Sequence, residues 1–268
     1  MSKVARLGTA ALLTATAGTA TACSTPSATT PLARTVSSLK PLRSGQLDLK
    51  LTWSAGSAAT AGFAVAGPFA DPRPGQVLPT FSLTASRIGS NAPSTTVASD
   101  GTQAVARSGS ASRPLTPAEV AGLKGKSGAD LTGLRSLGVS SWATGAQSSS
   151  TDPATGDVTV SAGADPVNAI NSIVGLANAS GAASGSLRPI PADQSAAVRN
   201  ALVSSRLEVA TGRTDHLLHR LHLVLSFAES SRSVLRSAAG PSANVSMVFD
   251  VTIAQPNQPV TVTLPGGG

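Results

Sequence analysis

His216, His219 and His222 follow one another at intervals of three, and three imidazoles are a familiar ligand set for catalytic zinc. The local pattern works against that chemistry. Leu221-His222-Leu223-Val224-Leu225 alternates as a strand does, and in a strand His219 points away from His216 and His222, which then lie about 20 Å apart. Only a helix would align all three, so no metal site is expected. Asp215 and His216 would need a serine nucleophile to complete a triad, yet no Gly-x-Ser-x-Gly elbow occurs in the chain. The thirteen acidic residues are scattered, which leaves no carboxylate pair for glycoside hydrolysis. The glycine-rich stretch from Ala179 to Gly185 lacks the lysine and strand context of a phosphate loop. These patterns predict no catalytic residue and no cofactor, and the chain reads as a non-enzyme.

The remaining reactive side chain is Cys23, the single cysteine. Lys3 and Arg6 precede an uncharged stretch from Leu7 to Ala22, and Ala20-Thr21-Ala22 offers small residues for cleavage, the pattern of an export signal. Ala20-Thr21-Ala22-Cys23 resembles a bacterial lipobox, with Ala20 where a larger aliphatic residue is usual. That resemblance implies acylation of Cys23 and cleavage before it. Residues 1–22 are therefore read as a lipoprotein signal peptide and 23–44, rich in Ser, Thr and Pro, as a flexible basic tether. No Asp or Glu precedes Asp48, so Arg34, Lys40 and Arg43 add an electrostatic membrane signal to the acyl one.

The elements that must position any site lie in residues 45–268, read as one domain. Of 268 residues 41% are hydrophobic and only 12% charged, with five Phe, two Trp and no Tyr. Such a chain builds its core from Val, Leu and Ala. The net charge of +7 comes from basic residues spread singly, and with few rings to stack on bases this excludes a nucleic-acid interface. Period-2 alternation marks strands at Leu47–Trp53, Phe81–Ala85, Val158–Val160, His219–Phe227 and Val245–Ile253, with Val260, Val262 and Leu264 closing the chain. His219, Leu221, Leu223, Leu225 and Phe227 are placed on one face. Thr116-Pro117-Ala118-Glu119 starts a helix, Asp165-Pro166 opens a second that ends at Asn178–Gly181, and residues 191–203 suit a third. Thr211-Gly212-Arg213-Thr214-Asp215 reads as a hairpin turn after a strand at Arg206–Ala210, Gly212 supplying a positive φ and Asp215 a cap. Strands flanking a helical middle predict an α+β domain.

Several pieces in order resemble actinobacterial envelope lipoproteins related to the lipoprotein-localisation carriers and the mycobacterial lipid-carrying lipoproteins. They are Gly67-Pro68-Phe69 with Leu78-Pro79-Thr80-Phe81-Ser82-Leu83, and Ser99-Asp100-Gly101-Thr102-Gln103-Ala104-Val105 with Gly109, where both family tyrosines are missing. Leu137-Gly138-Val139 with Trp142, Val209 to Asp215 ahead of His219-Arg220-Leu221, and Asn257-Gln258-Pro259-Val260 complete the set. The resemblance implies a strongly curved antiparallel half-barrel with helices packed on its concave face and an apolar cavity between them for acylated or lipid cargo.

Residues placed on the inner faces are the expected cavity wall. They are Leu49, Leu51 and Trp53 of the first strand, Phe81 and Leu83 of the next, and Ile170 and Val174 of the second helix. The long late strands add Leu221, Leu223, Leu225 and Phe227, then Met247, Phe249 and Val251. Alternation alone leaves open whether these side chains line a groove or fill a core. The expectation is a monomeric lipoprotein, anchored to the extracytoplasmic face of the cell membrane through Cys23, that binds and carries or presents a lipid. The alternative is a structural or partner-binding lipoprotein with a filled core that docks an envelope protein.

Overall fold

The computed structural model describes residues 30–56, 60–127, 130, 132–180, 188–228 and 245–264. The signal peptide, Cys23 and the glycines at 181 and 185 lie outside the described residues. Eleven strands form one open antiparallel sheet: β1 (Ser44–Ala55), β2 (Ala61–Ala70), β3 (Thr80–Ile88), β4 (Thr95–Asp100), β5 (Ala104–Ser108), β6 (Ala111–Pro114), β7 (Ala143–Thr151), β8 (Asp157–Ala164), β9 (Leu202–Gly212), β10 (Leu218–Phe227) and β11 (Val245–Ala254). Their order is β6-β5-β4-β3-β2-β1-β11-β10-β9-β8-β7. The chain thus runs outward from β1 to one edge, crosses to the other edge, and returns strand by strand until β11 pairs with β1 over Gln46–Ala55 and Val245–Ala254. Among the described residues, helices α1 (Pro31–Ser38), α2 (Pro117–Leu123), α3 (Pro166–Ser180) and α4 (Ser195–Ala201) are accompanied by short 3-10 turns at Leu134–Leu137, Val139–Ser141 and Ala192–Gln194.

Register turns the alternation into rows. Val160, Val209, Leu221, Val251, Leu49 and Val65 stand side by side across β8, β9, β10, β11, β1 and β2. The next row holds Ala162, Leu207, Leu223, Phe249, Leu51 and Phe63. Nearly all of these side chains are buried in the cluster that also takes Leu32 of α1, Ile173 and Leu176 of α3 and Val198 of α4. Each large side chain buried there is worth about 1.5–3 kcal/mol. Trp142, fully buried, meets Phe249 edge to face at 6.4 Å and donates its Nε1–H to Ser172 at 3.2 Å, so one ring joins α3 to the sheet.

The expected helix starts are present. Thr116 and Glu119 form a reciprocal capping box on α2, and Asp165 accepts from Val167 and Asn168 N–H at 2.9 Å ahead of α3. The third helix is shorter than 191–203, because Leu202 and Val203 already belong to β9. Val260 to Leu264 form no strand; Val260 is buried and its carbonyl faces the Arg73 guanidinium at 3.5 Å.

Two departures matter for the site. Residues 31–38, expected within a flexible tether, form α1: Thr30 caps it by accepting from Ala33 N–H at 3.3 Å, Pro31 opens it, and Leu32 is buried. The physical reason is a Thr-Pro start followed by Leu32, Val36 and Leu39 at helical spacing, which gives the segment an apolar stripe. The second departure is a bulge in β10. Leu218 pairs with Thr211 and Arg220 with Ala210, so His219 is an extra residue and leaves the face of Leu221, Leu223 and Leu225. The turn before it also differs in mechanism. The positive φ falls on His216, at 55°, while a Cβ at Gly212 would lie 2.1 Å from Asp215 Oδ1, so a side chain there would displace the carboxylate that accepts from the Leu217 N–H.

Candidate functional site

An apolar cavity lies where α1 meets the sheet. Its volume is about 320 Å³. Val36 and Leu39 close it from the α1 side, Leu134 and Val139 from the short helical turns that follow α2, and Val209, Leu218 and Leu221 from β9 and β10. The β10 bulge helps to make it. By adding one residue it returns Leu218 to the side that Leu221 occupies and sends His219 elsewhere. Thr132 is buried at the wall, and among the described residues that line it Lys40 is the one ionisable side chain.

Three ties position the α1 segment over this space. Leu32 N–H donates to Gln147 Oε1 at 2.8 Å, and Lys40 N–H to the His216 carbonyl at 2.9 Å. Asn257, at φ 59°, accepts from Arg43 N–H at 2.7 Å and donates to the Pro41 carbonyl at 3.2 Å. An asparagine suits that left-handed backbone, which gives Asn257-Gln258-Pro259 a structural task at the junction of α1 and β1.

Of the residues expected to line a groove, Leu221 does line this cavity. Leu49, Leu51, Leu223 and Leu225 lie in the packed core, as do Phe81, Phe227, Phe249 and Val251. Trp53, Leu83, Ile170 and Met247 pack against that core partly exposed, and Val174 is half-buried on α3. The groove-facing set is displaced because helices cover the rows of the sheet, leaving space only near the α1 end. Val36 and Leu39 were missed because Ser, Thr and Pro around them mask the helical spacing.

His219 and His222 are taken up by carboxylates. His219 Nδ1 lies 2.9 Å from Asp157 Oδ1 and its Nε2 3.2 Å from Asp215 Oδ2. His222 Nδ1 meets Asp250 Oδ2 at 3.0 Å, beside the Arg220–Asp250 ion pair at 2.7 Å, on the sheet face away from Leu221. Burial raises the Asp250 carboxyl, but the hydrogen bond and charge of Arg220 outweigh it and hold it below the usual range. Asp215 is likewise lowered: burial opposes, and the Leu217 N–H at 2.9 Å and His219 prevail. Among the described residues no His, Cys, Asp and Glu side chains converge as a metal-binding group.

Fold and site together define an open antiparallel-sheet protein with four described helices and an apolar cavity beside the first of them. No family model and no curated protein matches the chain. Among solved structures it is similar to that of LprF from Mycobacterium bovis, at 14% identity and a TM-score of 0.38, over 87% of this chain and 93% of that one. At that similarity nothing about ligand or activity passes from that protein to this one. No helix among the described residues is long and apolar enough to cross a membrane.

Proposed function

We propose that the protein is a membrane-anchored envelope lipoprotein whose sheet, curved as a half-barrel around its helices, binds and carries or presents a lipid or other apolar ligand. The cavity beside α1 carries this reading. Its volume, about 320 Å³, reaches the range of small-molecule sites, about 300–1,000 Å³, and its wall is Leu and Val with few polar groups. Each chain methylene moved from water into such a space gains about 0.8 kcal/mol.

Anchoring rests on the lipobox-like Ala20-Thr21-Ala22-Cys23. Pro31, the start of α1, is eight positions beyond Cys23. At about 3.5 Å per residue, an acylated Cys23 would hold the start of α1, next to the cavity, within about 28 Å of the membrane surface. Arg34, Lys40 and Arg43 on the same segment would reinforce the contact with anionic lipid. In this reading the protein works as a monomer on the extracytoplasmic face and does no covalent chemistry; the two carboxylates that face the His219 ring nitrogens favour a structural task for that imidazole.

A second reading, a structural or partner-binding lipoprotein, is favoured by one observation. Most inner-face side chains, Leu49, Leu223 and Phe249 among them, are already buried in the core cluster. One experiment separates the two. The Cys23→Ala chain, exported without acylation, is purified without detergent from an actinobacterial host and its solvent extract compared by mass spectrometry with that of an unrelated exported protein. A specific, stoichiometric lipid supports the carrier. An empty protein that also refuses offered lipids supports the structural reading.

A further inference from the structure

Going further on the carrier reading, on which this step depends, we infer that the cavity takes a single-chain amphiphile with an anionic headgroup, its chain inside and its head at Lys40. Size limits the chain. At about 320 Å³ the cavity lies at the small end of the range of small-molecule sites, about 300–1,000 Å³, which suits one medium chain rather than two.

Charge selects the head. Lys40 is exposed, whereas Leu137 and Leu221 on the same wall are buried, so polarity rises toward the solvent side of the cavity. Among the described residues the Lys40 ammonium has no hydrogen bond and no ion pair within 4.0 Å. The acid that its charge reaches, Asp215, is already held by the Leu217 N–H at 2.9 Å and by His219 Nε2 at 3.2 Å. Lys40 is also fixed at its backbone through the His216 carbonyl, so its place at the cavity does not depend on ligand. A chain that enters first leaves its headgroup beside an ammonium whose hydrogen-bonding capacity is unspent. Carboxylate and sulfate heads share that chemistry.

The test uses the full Cys23→Ala chain at pH 8 with the neutral fluorophore N-phenyl-1-naphthylamine as reporter. Competitors are decanoate, decyl sulfate, decanol, decyltrimethylammonium and vesicles of a diacyl phosphatidylglycerol. Decanoate and decyl sulfate should displace the reporter at concentrations about fivefold lower than decanol, the scale of an exposed ion pair. Lys40→Gln should remove that preference with decanol unchanged, and Lys40→Arg should restore it. Equal displacement by decanol, or a preference that survives in Lys40→Gln, overturns the headgroup assignment. Displacement by the diacyl lipid but by no single-chain competitor overturns the size argument. A reporter that never binds, with competitors equally unbound by calorimetry, defeats the carrier reading itself.

Discussion

The Leu32 N–H donates to Gln147 Oε1 at 2.8 Å, joining residues 115 positions apart and fastening the first helix to an edge strand of the sheet. Beside it, the Leu32 side chain is buried. An aspartate there would place a charge in an apolar site without a partner. Leu32→Asp should release α1 while the sheet survives, because α1 contributes one side chain to a core built mainly from strands. Hydrogen exchange across residues 31–38 should quicken to the rate of an unprotected chain, with exchange in β10 and β11 unchanged. Slow exchange throughout would mean that α1 is held by something other than Leu32.

Cavity and core should respond differently to substitution. Val36, on the cavity wall and only partly buried, leaves room for a larger ring. Val36→Trp should therefore abolish binding of an apolar fluorophore at a stability cost smaller than the about 1–3 kcal/mol of overpacking a filled core. Leu223, fully buried and away from the cavity, behaves oppositely. Leu223→Ala should cost about 2–5 kcal/mol in denaturant unfolding and leave the fluorophore bound at native-like conditions. Loss of binding in both variants through unfolding alone would remove the cavity from consideration.

Strands whose side chains are large were legible in the sequence, and those built from small residues were not. Leu47-Asp48-Leu49-Lys50-Leu51 alternates plainly and becomes β1, and the same holds for β10 and β11. β7, Ala143 to Thr151, is nearly all Ala, Ser, Thr and Gly, so it shows no apolar period. Its place at the sheet edge, with most side chains exposed, demands none. β4, β5 and β6 are short and built largely from Ala, Ser, Thr and Arg, so they too lack a long apolar alternation. The site was less legible than the fold. One expected wall residue, Leu221, lines the cavity, because the space depends on α1 and on the His219 bulge, and a one-residue insertion in a strand leaves no mark in an alternating pattern.

Glu119 closes the α2 capping box while gripping Arg113 through two bonds of 2.7 and 2.8 Å. The Arg113 hydrogen bonds, with the Thr116 N–H next, push its carboxyl down to about 2. The folded value lies below the unfolded one, so the contribution is present above the ordinary glutamate range and is lost as pH falls through about 2. NMR titration of Glu119 should show a midpoint near that value, and Arg113→Gln should raise it toward about 4.3. An unchanged midpoint in the variant would assign the depression to Thr116 instead.

Asp165 combines two tasks that one substitution can separate. Its Oδ1 caps α3 through Val167 and Asn168, and its Oδ2 takes Arg199 Nε at 2.7 Å, linking α3 to α4. Burial raises its carboxyl, but the Arg199 bond and the cap hydrogen bonds leave it below the usual range. Asp165→Asn keeps an acceptor for the cap and loses the ion pair. It should cost about 1 kcal/mol at pH 7. That cost should shrink as pH drops below about 3.9, where the unfolded carboxylate takes up protons that the folded one resists. A difference independent of pH would mean that the pair contributes nothing through charge.

Backbone demands make opposite predictions for two glycines. Gly67 in β2 has φ 143°, and a Cβ there would sit 1.9 Å from the Ser82 carbonyl oxygen of β3. The β2–β3 ladder leaves out two pairings at this point, those of Gly67 and Pro68, and resumes in the same register from Ala66–Thr84 to Phe69–Phe81. A side chain would have to push two strands apart in the middle of the sheet, so Gly67→Ala should cost about 1–3 kcal/mol in backbone strain alone, with the steric clash in addition. Gly175 lies within α3 with nothing within 4 Å of the added atom. There an alanine lowers the entropy of the unfolded chain and suits the helix, so Gly175→Ala should stabilise by about 0.4–1 kcal/mol. Both are read as shifts in the denaturant midpoint at constant slope. A tolerated Gly67→Ala would mean that β2 and β3 do not approach each other as closely as the register places them.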